Sequence, residues 1–446
     1  MVSAKKKSLS TWRFIHTTSQ SFADQYYHIY NARLKYAREA LIEQSRQRWG
    51  PDVKNVPLEQ LNASLGNTDV FVIGTLFKVM SKQPSILREL ESNETASLDP
   101  NVNFTSDEDS LVLHETDENV QVVGDIDIHS HVTGIPVSLM GHQLNGGAKF
   151  HVVDVCYAGP ILNIYEMPPL DSRPEKGKEQ LLIVSGFEFG FDSTLPKERC
   201  LEVVAALKKL RDMISGEVSF TGSQRLNATN IKKVIIAGNS VAPGYTKAKT
   251  EYIGASESKD CRTLDEVFQL FDNYLFTLAQ SGAEFDLMPG KTDPASFLLP
   301  QQPFHPKILP KSGLLQNIHP RTNPMLIEYK DLTILGTSGE NIEAIRQHSR
   351  IEYSTTILKN TLEWGHIAPC APDNLSCMPF RENDPFLIDF LPDIYFAGNQ
   401  PEFIVTTYCT DTKKKIQLIS VPSFVRTLSC VVVDTSTLEC ELINLD

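Results

Sequence analysis

The sequence lacks the long apolar segments that membrane and secreted proteins carry. Its longest apolar runs, at residues 71–77 and 181–185, have the length of single strands, whereas a membrane-spanning helix needs roughly 20 apolar residues. The three lysines at residues 5–7 are followed by no apolar segment, so no secretory signal and no membrane partner are expected. These lysines are read either as a fragment of a nuclear-import patch or as a solvated tail.

Closely paired cysteines are also missing. None of the eight cysteines stands in a CxxC motif, and their spacings are not those of a zinc ribbon. We therefore expect free, mostly buried thiols in a reducing, intracellular compartment. The cysteines are Cys156, Cys200, Cys261, Cys370, Cys377, Cys409, Cys430 and Cys440.

Positive charge is scarce. Lysine and arginine number 42 against 55 aspartates and glutamates, which gives a formal net charge of −13. Because binding to double-stranded DNA depends on cations that neutralise phosphates, we expect this chain to contact DNA only weakly or indirectly. A local basic groove is compatible with the composition.

Common catalytic motifs are absent too. The sequence contains no GxSxG, and GTSG at residues 336–339 lacks the GK[ST] ending of a phosphate-binding loop. His305 and His319 stand in proline-rich loops with no such nucleophile motif in the chain, so both are predicted to be structural.

The first 50 residues are predicted to form a tail and one helix. Helical periodicity over residues 20–48 indicates an amphipathic helix whose aromatic stripe docks against the next domain. Its solvent-facing side is predicted to be basic and to contain Arg33, Lys35, Arg38 and Arg46.

Residues 51–166 are typical of a small all-β domain, either a barrel or a sandwich. The acidic stretch at 92–110 is predicted to be an exposed loop, and the proline-rich, charged residues 167–180 a linker. Short strands are predicted at residues 69–80, 109–128, 134–143 and 148–159.

One segment of this region, DIDIHSH, looks like a metal-binding cluster. On a strand, Asp125, Asp127, His129 and His131 would share one face. Because four ligands at this spacing rarely converge on one ion, we predict polar positions on the exposed face of a barrel strand.

Aromatic residues of the same region raise the alternative of single-strand binding. Phe71, Phe77, Phe150 and Tyr157 could serve as stacking platforms in a basic groove. The sequence from 92 to 128 is acidic, however, so core packing is the preferred interpretation.

Residues 181–446 are predicted to form an α/β domain, either a mixed sheet or a two-sheet sandwich. Continuous apolar strands alternate with helices, which indicates a sheet covered on both faces. Helices are predicted at 194–215 and 263–281. Strands are predicted at 181–185, 232–237 and 285–288, with further strands beyond residue 323.

The ends of these strands are where open α/β sheets build their sites. Their order and context resemble the calcineurin-like metallophosphoesterase fold, which carries the motifs DxH, GDxxD, GNH, a single His and GHxH. By this resemblance the metal ligands are missing at nearly every position. The corresponding residues are Gly186 and Glu188, Asn239 and Ala242, Gly290, Lys291 and Thr292, Ser338, and Asn399 and Pro401. One carboxylate and two neutral amides cannot assemble a dinuclear site, so no catalytic, metal or cofactor residue is predicted.

Longer sequence segments indicate a more specific family. These blocks are QYYHIYNARL (25–34), IAGNSV (236–241), MPGKTDPASFLLPQQPFHP (288–306), NPMLIEYKDLTILGTSG (323–339), GHIAPCAPDNLSCMPF (365–380) and DPFLIDFLPDIYFAGNQP (384–401). Together they resemble the small, B-type subunit family of eukaryotic DNA polymerase delta, from about residue 20 to the C-terminus.

The resemblance implies an OB-fold barrel packed with the N-terminal helix on an inactive metallophosphoesterase-like α/β sandwich. It implies a nuclear, non-catalytic subunit that binds the C-terminal metal-binding region of the catalytic subunit and a third, elongated subunit. The polymerase zeta catalytic subunit, and with it translesion synthesis, is a further implied partner. Two other functions stay open here: a residual metal-dependent phosphoesterase or exonuclease, and an OB-type single-strand binder.

Overall fold

A computed structural model describes residues 13–16, 25–61, 68–83, 102–144, 149–160, 179–193, 195–217, 230–243, 263–410 and 413–446. The lysines at 5–7, Cys261, and most of the acidic stretch and of the linker lie outside the described residues. The described chain divides into two compact units. We call them the barrel unit (within Thr17–Glu166 and Asn341–Leu391) and the two-sheet unit (within Met1–His16, Met167–Glu340 and Pro392–Asp446).

The barrel unit contains a closed five-stranded barrel, which confirms the four strand-bearing segments predicted from the sequence. Its strands are hydrogen-bonded in the order β1-β2-β3-β5-β4, with β3 and β5 parallel and the other pairs antiparallel. Gly141 stands at a bulge, where a Cβ atom would lie 1.9 Å from the carbonyl oxygen of His151. The strands are β1 (Val70–Val79), β2 (Ser110–Glu115), β3 (Glu118–Gly124), β4 (Ile135–Gln143) and β5 (Lys149–Tyr157).

The predicted N-terminal helix is present as α1 (Tyr27–Trp49). Its buried residues Leu34, Ala37 and Leu41 pack in one cluster with Phe71 and other barrel residues. This unit also contains most of α4 (Glu340–His348) and all of α5 (Ser354–Trp364), two helices that the sequence did not predict.

One prediction about the helix surface was wrong. Arg33, predicted to face solvent, is completely buried, because its guanidinium donates to three backbone carbonyls as well as to a carboxylate. The predicted aromatic stripe of the helix includes Tyr26 and Tyr36: Tyr36 is 52% exposed, whereas the Tyr26 hydroxyl does contact the same unit by donating to the Cys377 carbonyl at 3.0 Å. Periodicity could not reveal the burial of Arg33, because the groups that hold it lie far away in the sequence.

The DIDIHSH segment is not a barrel strand. Strand β3 ends at Gly124, and Ile128–Ser130 form a 3-10 turn that the Asp127 carboxylate caps by accepting the His129 N–H. His131 is buried beyond that turn. The alternation in the sequence therefore misled the strand prediction, because a polar side chain that caps a turn gives the same pattern.

The two-sheet unit contains two separate sheets, which decides between the two architectures that the sequence left open. One sheet has the order β16-β15-β6-β7-β8-β9 and the other the order β10-β11-β12-β14-β13. The strands are β6 (Gln180–Val184), β7 (Ile231–Ala237), β8 (Glu284–Met288), β9 (Ile318–Pro320), β10 (Met325–Tyr329), β11 (Leu332–Thr337), β12 (Ile394–Gln400), β13 (Ile404–Cys409), β14 (Lys415–Pro422), β15 (Ser429–Asp434) and β16 (Cys440–Asn444).

Side chains from both sheets share one apolar core, so the sheets pack face to face. Ile183 and Ile235 of the first sheet meet Ile334 and Phe396 of the second in this cluster. The other face of the six-stranded sheet is covered by α2 (Lys197–Ile214) and α3 (Leu264–Ala279), the two predicted helices. A short helix, α6 (Phe424–Thr427), precedes β15.

A short N-terminal segment of the two-sheet unit is held by hydrogen bonds to Gln302 and by burial of Phe14. The Gln302 amide donates to the carbonyl of Phe14 and accepts the N–H of His16, each at 3.0 Å. These are the two bonds that a neighbouring strand would supply. Phe14 itself is 1% exposed, so the segment is anchored by both apolar burial and hydrogen bonding.

No helix within the described part of the chain is long and apolar enough to span a membrane.

Candidate functional site

The strand ends singled out from the sequence come together in the two-sheet unit, with almost no space between them. A Cβ atom on Gly186 would lie 2.5 Å from Ser423 Oγ and 2.8 Å from Asn399 Oδ1. One on Gly290 would lie 2.5 Å from Asn239 Oδ1. Real Cβ atoms do not approach neighbours this closely, so glycine is required for the loops to meet.

Asn399 holds several of these strand ends together. Its backbone N–H donates to Ser185 Oγ at 2.8 Å, and its Nδ2 donates to the carbonyls of Ala237 at 3.1 Å and Ser338 at 2.9 Å. Its Oδ1 is buried and accepts no hydrogen bond in the described structure. The side chain therefore donates to two segments, one from each sheet, and the backbone N–H of the same residue binds a third.

Three residues at the predicted ligand positions have a left-handed backbone conformation. The φ angles are +45° at Glu188, +53° at Asn239 and +57° at Asn399. Such a conformation costs a non-glycine residue about 1–3 kcal/mol, and it persists only where the surroundings impose it. The loops are thus bent sharply at the positions where the resemblance places metal ligands.

Two carboxylates that the sequence did not point to lie beside these loops. Asp293 accepts the N–H groups of Gly290 at 2.9 Å and Val241 at 3.0 Å. Burial raises the pKa of Asp293 to about 7, although those backbone hydrogen bonds favour the charged form. Asp293 ends the MPGKTD segment, directly after the positions aligned with the GNH motif, so a search one residue further would have found it.

The second such carboxylate is that of Glu340. It accepts hydrogen bonds from Asn323 Nδ2 at 2.9 Å and from the Ser338 hydroxyl. Burial raises the pKa of Glu340, while these hydrogen bonds and the charge of Lys291 act in the opposite direction. Asn323 also bonds to Gln301, so this carboxylate belongs to a connected polar network at the strand ends.

Glu188 is the one acidic residue among those that the resemblance drawn from the sequence compares with metal ligands. Burial raises its pKa, opposed by the charge of Arg426 and by a 3.4 Å hydrogen bond from Ser423 Oγ. Ala242 is fully buried, while Lys291 and Pro401 are exposed. Within the described residues, no three His, Cys, Asp or Glu side chains are grouped closely enough to hold a metal ion.

The histidines considered in the sequence have structural contacts. His131 contacts Tyr157 Oη and the Asp127 carbonyl, each at 2.6 Å. His305 caps a 3-10 turn by accepting the Lys307 N–H at 3.2 Å, and His319 lies in β9. The interpretation of His305 as structural agrees with this cap.

The candidate stacking aromatics of the barrel are largely core residues. Phe71 and Phe150 are 1% and 0% exposed, so neither ring is available to a base. Phe77 packs at 5.1 Å from the ring of Tyr30, and burial raises the pKa of Tyr157 above its usual range. The prediction of core packing is confirmed for Phe71 and Phe150.

Comparison with known proteins shows which protein family each of two parts of the chain matches. Residues 25–155 match the family described as the OB-fold domain of a DNA polymerase delta subunit, and residues 181–405 match the family of B subunits of DNA polymerases alpha and epsilon. The chain is 31% identical to "DNA polymerase delta subunit 2" of Drosophila melanogaster, an alignment that covers 95% of this chain and 94% of that protein. The chain belongs to the family of DNA polymerase delta small subunits.

Other members of the small-subunit family are similar over the same extent. The "DNA polymerase delta small subunit" of Arabidopsis thaliana is 32% identical, with 94% of this chain and 91% of that protein covered. That of Saccharomyces cerevisiae is 28% identical, with 96% and 90% covered. The family resemblance drawn from the sequence blocks is confirmed, and the closed barrel is identified as the OB-fold of this family.

Proposed function

We propose that this chain is a nuclear, non-catalytic accessory subunit of a DNA polymerase delta complex that acts in replication and repair. In this proposal it holds the C-terminal metal-binding region of the catalytic subunit and the N-terminal domain of a third, elongated subunit. The polymerase zeta catalytic subunit is a further candidate partner. Membership of the small-subunit family supports this role, since the relatives are named as polymerase subunits.

We further propose that the two-sheet unit is an inactive calcineurin-like phosphoesterase. The observation that carries this is the packing around Gly186, which occupies the position of the first aspartate in the DxH motif. A carboxylate there would need a Cβ atom, and that atom would lie 2.5 Å from Ser423 Oγ. The backbone at Gly186, with φ of +68°, also disfavours any side chain.

The residues present do not fit a pair of metal ions. Such a site needs several anionic and imidazole ligands that converge on both ions. Asn239 and Asn399 offer only neutral amides, and the Nδ2 of Asn399 is already committed to two carbonyls. Lys291 adds a positive charge at one ligand position. The function therefore rests on binding surfaces and on no metal-dependent step.

The domain limits are part of the proposal: a tail and helix at 1–50, an OB-fold at 51–166, a linker at 167–180 and the phosphoesterase-like domain at 181–446. The described residues within Asn341–Leu391 belong to the same compact unit as the barrel. A fragment that ends at residue 180 would contain the barrel but lack residues 341–391. The experiments below therefore use the full-length chain.

The decisive experiment is co-expression of the full chain with the C-terminal metal-binding region of the catalytic subunit, followed by size-exclusion chromatography. We expect a stoichiometric complex that survives dilution to nanomolar concentration. Separate elution of the two proteins, under conditions in which each is folded by circular dichroism, would refute the accessory role.

The inactive-site proposal is tested separately on the purified full chain alone, because the partner region binds metal itself. We expect less than one equivalent of manganese after dialysis, and no hydrolysis of bis-p-nitrophenyl phosphate above buffer. Turnover that requires manganese and disappears in Glu188→Ala would overturn the proposal, because Glu188 is the one acidic residue at an aligned ligand position.

A further inference from the structure

Two neighbouring segments of the two-sheet unit each carry an exposed apolar side chain. Residues 311–317 run along helix α3: the N–H groups of Lys311 and Ser312 donate to the Asp272 carboxylate at 3.0 and 2.9 Å. Five residues later, Asn317 Nδ2 donates to the Ala279 carbonyl at 3.0 Å. These two attachments fix the segment at both ends against two turns of the helix.

The geometry puts Leu314 beside the turn of α3 that carries Phe276. Leu314 lies between Ser312 and Asn317 along the segment, and Phe276 lies between Asp272 and Ala279 along the helix. Leu314 is 82% exposed and Phe276 is 38% exposed. Two apolar side chains on neighbouring segments are therefore left open to solvent, and a larger apolar surface would form if a partner covered both.

The two chain segments that carry these side chains contain few acidic residues, although the chain is acidic overall. No aspartate or glutamate occurs from residue 294 to residue 327, a stretch that contains Lys307 and Lys311. In residues 267–283 the one carboxylate is that of Asp272, which is buried under the segment. Lys307 and Lys311 are both exposed.

The nearest carboxylate that follows α3 is that of Glu284. Its Oε2 lies 3.3 Å from Lys233 Nζ, so a cation already accompanies this charge. An approaching acidic group would therefore meet lysines and few competing anions on these two segments. Electrostatic complementarity of this kind favours one sign of partner and speeds its association.

We propose that Leu314, Phe276 and Lys311 form a docking surface for an acidic amphipathic helix of a partner protein. One or two apolar side chains of that helix would cover Leu314 and Phe276, and glutamates or aspartates beside them would pair with Lys311 and Lys307. Amphipathic helices bind apolar surfaces through side chains spaced three and four residues apart. This surface goes beyond the accessory role and does not depend on which polymerase subunits bind.

The test uses the full chain and a synthetic peptide probe, measured by fluorescence anisotropy. The probe is a peptide of about 18 residues with leucines along one face and glutamates elsewhere, long enough for about five helical turns when it is bound. A second peptide has the same leucines with lysines in place of the glutamates. We expect the glutamate peptide to bind at least about tenfold more tightly than the lysine peptide, with an affinity that falls as salt is added.

Variants of the chain locate the site. Leu314→Ser and Lys311→Glu are each expected to weaken binding of the glutamate peptide by about tenfold. Leu201→Ser is the matched control, because Leu201 is 72% exposed but lies on α2. It is expected to leave the affinity unchanged.

Three results would overturn the proposal. These are absence of binding by the glutamate peptide, equal binding of both peptides, or equal affinities of Leu314→Ser and Leu201→Ser. A fourth is concentration-dependent self-association of the chain that Leu314→Ser abolishes, since this would assign the surface to a second copy of the chain.

Discussion

Arg33 and Asp384 form an ion pair in which both side chains are completely buried, with Nε 2.8 Å from Oδ2. The two residues are 351 positions apart in the sequence. The remaining guanidinium nitrogens donate to the carbonyls of Gly134, Pro369 and Ala371 at 2.8 to 3.0 Å. One arginine therefore joins helix α1 to a barrel loop and to the segment after α5.

We expect Arg33→Ala to destabilise the chain by about 3–5 kcal/mol, because three carbonyls lose this donor and the buried Asp384 carboxylate loses its arginine partner, keeping only His366 and the Phe386 N–H. Urea denaturation monitored by circular dichroism measures this. Arg46→Ala is the control on the same helix, since Arg46 is exposed, and it should change stability by less than about 0.5 kcal/mol. Equal stability of the two variants would contradict the role given to Arg33.

The packing at the strand ends predicts a difference between two glycines. Gly186 and Gly216 have similar φ angles, +68° and +73°, so alanine meets a similar backbone penalty of about 1–2 kcal/mol at both. A Cβ atom on Gly216 meets nothing within 4 Å, whereas one on Gly186 collides with Ser423. Gly186→Ala should therefore cost about 1–3 kcal/mol more than Gly216→Ala in thermal or urea denaturation. Equal losses would show that the loops can move apart.

We expect the stability of the structure around Asp293, at the ends of β7 and β8, to depend on pH. Its pKa of about 7 in the folded chain lies above the unfolded value of about 3.9. A raised pKa of an acid means that the folded state prefers the protonated form. The stabilisation that Asp293 contributes to the folded state is therefore fully present below about pH 4 and is lost as the pH rises through 7. Within that window the loss is at most about 1.4 kcal/mol per pH unit.

Hydrogen exchange of the β7 and β8 amides at pH 4 to 8 tests this prediction. The reference is Asp293→Asn, in which this titration is removed while the other groups, including Glu340, are retained. We expect protection in the original chain to fall relative to the variant as the pH rises to 7, and the difference to stay constant above that. Parallel pH profiles would contradict the prediction.

The anchored N-terminal segment predicts a local effect of Phe14. Replacing this buried ring by alanine should cost about 3–5 kcal/mol and free the segment held by Gln302. Trypsin should then cleave after Arg13 faster. Phe297→Ala serves as the control, because Phe297 belongs to the same unit but is 78% exposed. Unchanged cleavage in Phe14→Ala would show that Gln302 alone retains the segment.

The sequence predicted regular elements well where apolar periodicity was strong. Helix α3 was expected at 263–281 and is observed at Leu264–Ala279, with Thr263 and Glu266 forming a capping box at its start. The strands of the barrel were found for the same reason, since alternation directly reports which side chains are buried. Helices α4 and α5 were missed because apolar, strand-like segments dominate the sequence beyond residue 323.

Long-range polar contacts could not be predicted. Nothing near Arg33 in the sequence indicates that carbonyls from residues 134, 369 and 371 surround it. The strand-end loops were expected to meet and they do, because parallel strands bring their carboxyl ends together. The roles of Asp293 and Glu340 depend on how those loops fold back, which local sequence does not specify.

The interleaving of the two units along the chain has a consequence for synthesis. Strand β6 is hydrogen-bonded between β7 and β15, and β11 between β10 and β12. The partner strands β15 and β12 both lie after Pro392 in the sequence. A growing or truncated chain that lacks them therefore has unpaired edges on β6 and β11. Exposed strand edges promote aggregation, so premature termination before residue 429 should yield insoluble protein. A complete chain should need chaperones during synthesis until its last strands emerge.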